Sequence, residues 1–254
     1  MKRLAFSVLA FALTSSIAIA ATGAATTSPT GQKQAIGFPH PYSSVFTRAS
    51  QSVGVDPVDG QLAEQLPQLK VRAQQGDATA AAQIYTSLAQ CAGLQANYPK
   101  STDLAARCSG ITSDDTSQIG KWLGLAAELG NSAAQYGYAV GGFDYVLGAQ
   151  EAQRNQAALD AYVEKSKGYL DGLARQCNFD AISALAKEQG RNGLLYKKNV
   201  DQAYKFLVIK QTIAGAPASA DAAYQAQLEG EISPASKIAS LRRDASSFVT
   251  QYCR

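Results

Sequence analysis

Residues 122–136 read WLGLAAELGNSAAQY, and this stretch decides the fold predicted for the chain. A helical run leads to Gly130, and glycine is suited to the left-handed conformation that follows many helices. Asn131 comes next, and asparagine is one of the side chains that cap the first turn of a helix. The stretch therefore predicts two helices joined by a tight turn, which is an antiparallel helix pair.

A second stretch has the same organisation. Residues 71–80 read VRAQQGDATA, with Gly76 after a helical run and Asp77 as the capping residue. In both stretches a small residue follows four positions after the glycine and a larger one eight positions after it. These residues are Ala80, Ile84, Ala134 and Tyr138. Small residues at helix crossings let two helix axes approach closely, so these pairs are predicted to pack tightly.

Apolar residues recur at helical spacing along most of the chain after Val58. The predicted core stripes are Leu62, Leu66 and Leu69; Ile119, Trp122, Ala126 and Leu129; Leu159, Tyr162, Val163, Tyr169 and Leu170; Val200, Ala203, Tyr204 and Leu207; and Ile238, Leu241, Ala245, Phe248 and Tyr252. Gly190 and Gly215 each follow a helical run in the same way as the turn glycines. We therefore predict an all-α fold of about nine helices, an α-solenoid of antiparallel helix pairs.

The two stretches resemble the Sel1-like repeat, a relative of the tetratricopeptide repeat. Residues 122–136 look like the family's W-x-x-x-A-A-x-x-G-x-x-x-A-Q-Y pattern, and residues 71–80 are a weaker copy without the tryptophan. Residues 199–215 are similar to the family's second helix, with Ala203 and Phe206 in the places of its A-x-x-W. The resemblance implies a right-handed stack of helix pairs that binds proteins or peptides. It implies no shared active site.

The first twenty residues have the organisation of a secretory signal peptide. A basic start precedes an apolar run over residues 4–13, and Ala18-Ile19-Ala20 supplies an A-x-A cleavage site. A transmembrane anchor needs about 20 apolar residues, and the polar residues 14–16 make this run too short. We therefore predict that residues 1–20 are removed and that the mature protein is periplasmic or secreted.

The mature chain is predicted to have two parts. Residues 21–56 are rich in Ser, Thr, Gly, Pro and Gln without a sustained period, and they are predicted to form a flexible N-terminal arm. Residues 57–254 are predicted to form the helical-repeat domain. Removal of Lys2 and Arg3 with the signal peptide lowers the net charge from +3 to +1. A nearly neutral chain lacks the basic surface that nucleic acid requires, so we predict no nucleic-acid partner and no stable membrane insertion.

Four cysteines lie in the exported part of the chain. An even number of cysteines in an oxidising compartment predicts two disulfides, for which three pairings are possible. We favour Cys91 with Cys108, because that bond would staple the excursion Gly93–Ser101, and Cys177 with Cys253. Metal binding is the competing interpretation, but the chain has no C-x-x-C spacing and only one histidine.

The sequence contains no recognisable catalytic constellation. The single histidine, His40, lies between Pro39 and Pro41. The chain has no G-x-S-x-G, S-x-x-K or H-E-x-x-H motif and no phosphate-binding glycine loop. Asp114 and Asp115 are interpreted as caps at the start of a helix and not as a carboxylate pair. We therefore predict a protein that is not an enzyme and that has no metal or cofactor.

Function is expected to lie in a binding surface. The leading hypothesis is an adaptor or scaffold that binds a protein or peptide partner. The alternative is a regulator or inhibitor of a periplasmic cell-wall enzyme. A concave groove would favour the adaptor, and a protruding loop at Gly93–Ser113 would favour the inhibitor.

Two side chains are predicted to contact the partner. Gln135 and Tyr136 lie off the packing positions Ala134 and Tyr138. We expect the Gln135 amide to bond a peptide backbone and the Tyr136 ring to supply an aromatic contact. The tyrosines on apolar stripes are predicted to be structural; they are Tyr138, Tyr162, Tyr169 and Tyr204.

Overall fold

The computed structural model describes residues 55–215 and 219–253. The predicted signal peptide, residues 1–20, and most of the predicted arm, residues 21–56, lie outside the described residues. The regular structure of the described residues is entirely helical, which confirms the all-α prediction. The helices are α1 (Leu62–Gln74), α2 (Ala78–Asn97), α3 (Thr102–Cys108), α4 (Ser113–Ser117), α5 (Ile119–Glu128), α6 (Ser132–Gly141), α7 (Phe143–Val146), α8 (Ala149–Arg154), α9 (Gln156–Arg175), α10 (Phe179–Gln189), α11 (Val200–Ala214), α12 (Ser219–Glu231) and α13 (Lys237–Tyr252). Within the described ranges, none of these helices is long and apolar enough to cross a membrane.

The described part of the chain has more helices than the nine or so predicted, because four of them are short. Helices α3, α4, α7 and α8 have between four and seven residues. A helix of that length cannot show an apolar stripe over several turns. Two of the short helices lie between α2 and α5, and the other two lie between α6 and α9. These insertions explain why the helix–turn–helix motifs are irregularly spaced along the chain.

The turns at Gly76 and Gly130 have the predicted geometry. The two glycines adopt left-handed conformations, with φ of +97° and +89°. The Asp77 side chain accepts a hydrogen bond from the backbone N–H of the residue three positions on, at 2.9 Å, and Asn131 does the same at 2.9 Å. The backbone N–H of each capping residue donates to the carbonyl five residues earlier, at 3.1 and 3.0 Å. Helix pairs α1–α2 and α5–α6 therefore share one type of turn.

A third turn of the same type joins α9 to α10 without a glycine. Cys177 has a φ of +57° and is the one non-glycine residue with positive φ among those described. Asn178 caps α10 by accepting a hydrogen bond from Ala181 N–H at 3.0 Å. Its own N–H donates to the Leu173 carbonyl at 3.0 Å, as in the other two turns. Sequence reasoning missed this turn because cysteine stands in the place of the expected glycine.

The left-handed backbone at Cys177 makes a prediction about its replacement. In a chain that also carries Cys253→Ala, Cys177→Gly is expected to be more stable than Cys177→Ala by about 1 kcal/mol. Glycine adopts a positive φ without steric strain, whereas the Cβ of alanine meets the following carbonyl. Urea unfolding of the two variants measures the difference. Equal stabilities would mean that the turn relaxes once the disulfide is gone.

The longer helices pack on one another largely in chain order. Helix α1 packs on α2, α2 on α5, α5 on α6, α6 on α9, α9 on α10, α10 on α11, and α11 on α13. A single hydrophobic core extends through these contacts from Val58 to Val249. Trp122 and Tyr204 are the largest side chains that are fully buried in it. The predicted stripes thus supply much of the core, but the prediction is wrong for Leu129, which is exposed at the end of α5.

Two glycines are required by close contacts rather than by turns. A Cβ on Gly120 would lie only 1.8 Å from the Tyr145 carbonyl oxygen, so the backbone after α6 passes directly against α5. A Cβ on Gly190 would lie 1.7 Å from the hydroxyl oxygen of Tyr224. The expectation that Gly190 ends its helix like the turn glycines is wrong, since its φ is −76°. Gly215 does adopt the left-handed conformation, with a φ of +78°.

Two disulfides connect separate helices. Cys91 of α2 is bonded to Cys108 of α3, with their Cα atoms 5.6 Å apart. Cys177 in the turn before α10 is bonded to Cys253 at the end of α13, with a Cα separation of 5.1 Å. This is the pairing favoured from the sequence, and it leaves no free cysteine.

Asp114 and Asp115 belong to a helix start. Thr112 and Asp115 form a capping box at α4, in which each side chain accepts a hydrogen bond from the other residue's backbone N–H. Lys70 from α1 lies with its Nζ 3.0 Å from Asp115 Oδ1. The interpretation of these acids as capping residues therefore agrees with their contacts.

Candidate functional site

Four tyrosines lie on helices α2, α6 and α7 and in the segment between α10 and α11. Tyr85 lies on α2, Tyr136 on α6, Tyr145 on α7, and Tyr196 in the segment. We call these four residues the tyrosine face. Tyr145 is exposed, and the other three are partly buried. Tyr85 has Tyr145 as a neighbour, and Tyr136 and Tyr196 share Glu188 as a neighbour.

Tyr85 connects α2 to α6. The Tyr85 hydroxyl lies close to Gly137 of α6, since a Cβ added to Gly137 would be 3.8 Å from the hydroxyl oxygen. Burial raises the pKa of Tyr85, and the nearby Tyr145 hydroxyl raises it further. The 3.8 Å separation is an ordinary van der Waals distance, so the Tyr85 hydroxyl packs against α6 at this position. Sequence reasoning did not single out Tyr85, although it follows Ile84, the larger residue eight positions after the first turn glycine.

Tyr136 connects α6 to α10. Burial raises the pKa of its hydroxyl to about 12, and the carboxylates of Asp180 and Glu188 on α10 contribute to the rise. The ring packs against the hydrophobic core, and part of it remains exposed. Spacing within α6 predicts that Tyr136 lies off the packing positions of its own helix pair. The structure adds a contact with the next pair, which spacing within one helix cannot predict.

Gln135 is engaged inside its own helix pair. Its Nε2 donates a hydrogen bond to the Ala127 carbonyl at 3.2 Å, which ties α6 to the end of α5. The amide nitrogen is therefore used within the fold. We place Gln135 beside the tyrosine face and not in it.

Tyr196 carries a buried hydroxyl that has no hydrogen-bond partner among the described residues. Burial raises the pKa of this hydroxyl, and the carboxylates of Asp171, Glu164 and Glu188 raise it further. Lys167 lies with its Nζ 5.9 Å from the ring centroid. An unpaired buried hydroxyl costs free energy, and this oxygen is covered by the protein rather than exposed to a ligand.

Carboxylates and cations are mixed around the Tyr136 and Tyr196 hydroxyls. The carboxylates that act on the two hydroxyls are Glu164, Asp171, Asp180 and Glu188. Glu188 pairs with Arg191, and Glu164 pairs with Lys167 at 2.9 Å. Burial raises the pKa of Asp171, and the nearby cations Arg175, Lys205 and Lys167 oppose the rise. This part of the surface is therefore mixed in charge.

The tyrosines predicted to be structural lie in the core or pack against it. Tyr138 and Tyr162 stack with their ring centroids 5.1 Å apart, and Tyr162 donates its hydroxyl proton to the Tyr138 carbonyl at 2.8 Å. Tyr169 packs edge-on against Tyr138 at 5.4 Å. Tyr204 is completely buried. These rings hold helices together and leave the tyrosine face as the candidate for binding.

The chemistry of the tyrosine face is that of recognition. A phenol with a raised pKa stays protonated at neutral pH, so it donates hydrogen bonds and does not act as a base. The part of the chain that the structure describes holds no group of three or more His, Cys, Asp or Glu side chains that could bind a metal ion. The face can therefore pack aromatic rings on a ligand, and it has no group suited to catalysis among the four tyrosines.

Comparison of the chain with models of known protein families, with curated proteins and with solved structures finds no match. The resemblance to the Sel1-like repeat therefore stays a prediction that rests on sequence motifs. A functional proposal has to rest on the geometry of the tyrosine face.

Proposed function

We propose that this protein is an exported helical-repeat adaptor that binds a protein or peptide partner on its tyrosine face. Three helix pairs share one turn geometry, and the longer helices pack largely in chain order. Both features support an α-solenoid, in which each unit contacts mainly its neighbours. The Sel1-like motifs in residues 71–80 and 122–136 agree with this architecture. Solenoids commonly bind partners along an extended surface that several units share.

The observation that carries the proposal is the composition of the tyrosine face. Tyrosine combines a large apolar area with one polar tip, which makes it common in protein interfaces. Here it recurs on two successive helix pairs, at Tyr85 and Tyr136, and again after the third pair, at Tyr196. Tyr145, on α7, is exposed. A ligand that crosses several units would contact more than one of these rings.

The charge around the face is mixed. Carboxylates on α9 and α10 act on the Tyr136 and Tyr196 hydroxyls. Arg175, Lys205 and Lys167 in turn act on Asp171. Recognition on this face would therefore rest on the tyrosine rings more than on charge, and we propose a partner segment with an apolar or aromatic side chain.

We infer that the protein acts in the periplasm or outside the cell. Disulfides such as the two in this structure form and persist in oxidising compartments. The predicted signal peptide provides the route of export. Function by binding, without catalysis, is part of the same proposal.

The geometry favours the adaptor over the inhibitor of a cell-wall enzyme. A protruding loop at Gly93–Ser113 would have supported inhibition. Much of that segment is helical, since it contains the end of α2 and all of α3. The Cys91–Cys108 disulfide also fastens it to the body of the protein.

Removing the exposed ring from the tyrosine face is expected to weaken partner binding about fivefold or more. The variant is Tyr145→Ala, because Tyr145 is the exposed member of the four tyrosines. Truncation of an aromatic residue that anchors a partner costs more than about 1 kcal/mol, which corresponds to roughly a fivefold change. Wild-type protein is first used to capture partners from a periplasmic extract for identification by mass spectrometry. Titration of the identified partner then gives the affinities of wild type and variant.

The matched control is Tyr98→Ala. Tyr98 follows α2, is 65% exposed, and is not part of the tyrosine face. This variant should bind like the wild type, and all three proteins should melt within a few degrees of one another. If the Tyr145→Ala variant is folded and binds the partner as tightly as the control, the tyrosine face is not the binding site.

A further inference from the structure

Helix α12 differs from every other long helix among the described residues. It has thirteen residues but buries a single side chain, Leu228. The other described helices of ten or more residues each bury at least three. Burial of apolar area is the main source of helix docking energy. Apolar burial therefore contributes less to the docking of α12 than to the docking of these other helices.

The attachment consists largely of acidic side chains on α12 that contact basic or phenolic groups beneath it. Asp221 lies with its Oδ1 2.8 Å from Lys210 Nζ on α11. Glu231, at the other end of α12, pairs with Lys198. Ion pairs at a protein surface contribute little free energy and weaken with salt. These ion pairs therefore favour an acidic helix at this surface but contribute little to the free energy of its docking.

Glu229 makes the most specific of these contacts. Its Oε1 accepts hydrogen bonds from the Tyr204 hydroxyl at 2.7 Å and from Arg242 Nη2 at 2.9 Å. Arg242 Nε donates in turn to the Tyr204 hydroxyl oxygen at 2.8 Å. Tyr204 is a core residue of α11 and Arg242 lies on α13. The Glu229 carboxylate is therefore hydrogen-bonded by side chains from two different helices.

The Tyr224 side chain of α12 packs into a gap beside the C-terminal end of α10. The Tyr224 hydroxyl donates a hydrogen bond to the Ala186 carbonyl at 3.1 Å. The gap exists because position 190 is glycine, as any Cβ there would overlap the Tyr224 hydroxyl. Tyr224 and Leu228 are four residues apart and therefore lie on the same face of α12. This face is the one directed at the rest of the protein.

The neighbours of α12 are connected to each other without it. Helix α11 packs directly on α13. The Cys177–Cys253 disulfide ties the end of α13 to the turn before α10. Departure of α12 would therefore leave α10, α11 and α13 joined by packing and by a covalent bond.

We propose that the surface beneath α12 is a second binding site, which takes an acidic amphipathic helix of a partner protein and which α12 occupies when the partner is absent. We call this surface the α12 seat; it is formed by Ala186, Gly190, Lys198, Tyr204, Lys210 and Arg242. The partner helix carries an aromatic and an aliphatic residue four positions apart, with carboxylates at both ends. The α12 seat does not include the tyrosine face, so this inference stands independently of the proposed function.

The test uses the full chain with both disulfides intact. A labelled peptide with the sequence of residues 219–231 is titrated, with anisotropy as the readout, against wild type and against the variant Tyr224→Ala with Leu228→Ala. The tethered α12 competes with the peptide in wild type, and a short tether gives it a millimolar effective concentration. The variant weakens the competitor and leaves the α12 seat unchanged, so it should bind the peptide at least tenfold more tightly. A control peptide with Asp221→Asn, Glu229→Gln and Glu231→Gln should bind at least tenfold more weakly than the acidic peptide.

Hydrogen exchange on wild type gives a second measurement that does not depend on the variant. The α12 amides should exchange faster than those of α11 and α13, through an opening that leaves the other two helices protected. Exchange of α12 only together with α11 and α13 would overturn the proposal, as would loss of cooperative folding in the variant. A folded variant that fails to bind the acidic peptide, or that binds both peptides equally, would overturn it too.

Discussion

Replacing Cys177 and Cys253 together by alanine is expected to lower the free energy of unfolding by about 4–5 kcal/mol. The disulfide joins residues 76 positions apart, and a cross-link over so long a loop strongly restricts the unfolded chain. The bond also holds the last helix, α13, to the turn before α10. Trp122 is the only tryptophan in the chain and is 2% exposed, so its fluorescence reports unfolding in urea.

The matched control is removal of the other disulfide. Cys91 and Cys108 are 17 positions apart, and their replacement by alanine is expected to cost about 3 kcal/mol, less than the long-range bond. Three of the four cysteines are buried and Cys253 is partly buried, so the main difference between the two bonds is the length of the closed loop. A larger effect for the shorter loop would show that local packing around α3, and not chain entropy, dominates.

Trp122→Ala is expected to destabilise the protein by about 3–5 kcal/mol. Trp122 lies in α5 as one of the largest side chains of the core, and α5 packs on both α2 and α6. Truncation would leave a cavity at the junction of two helix pairs. Circular dichroism measures the stability, because the substitution removes the fluorescent reporter.

Trp122→Phe separates the packing of the ring from the chemistry of the indole. The indole Nε1 has no hydrogen-bond partner among the described residues, so phenylalanine removes area but no bond that the structure shows. We expect it to cost less than half as much as alanine. An equal cost for the two variants would mean that the indole N–H has a partner outside the described part of the chain.

The candidate binding surfaces depend on contacts between units that are distant in sequence. The position of Tyr136 relative to its own helix pair can be predicted from spacing in α6. Its partial burial cannot, because the groups beside it, Asp180 and Glu188, belong to α10. The α12 seat was not predicted at all, since its basic and phenolic groups come from three separate segments. Surface recognition in a stack of helices is a property of neighbouring units, which no single motif contains.

The sequence by itself determined the helical class, two of the three matching turns and the disulfide pairing that we favour. These features are local, because a glycine followed by Asp or Asn both ends one helix and begins the next within a few residues. Tertiary structure alone decided the third turn, where the disulfide to Cys253 accompanies a left-handed Cys177. It also decided the role of Gly190, which makes room for Tyr224 from another helix. Backbone conformation at a turn follows from short-range sterics, whereas the need for space at one residue is set by whatever the rest of the chain places against it.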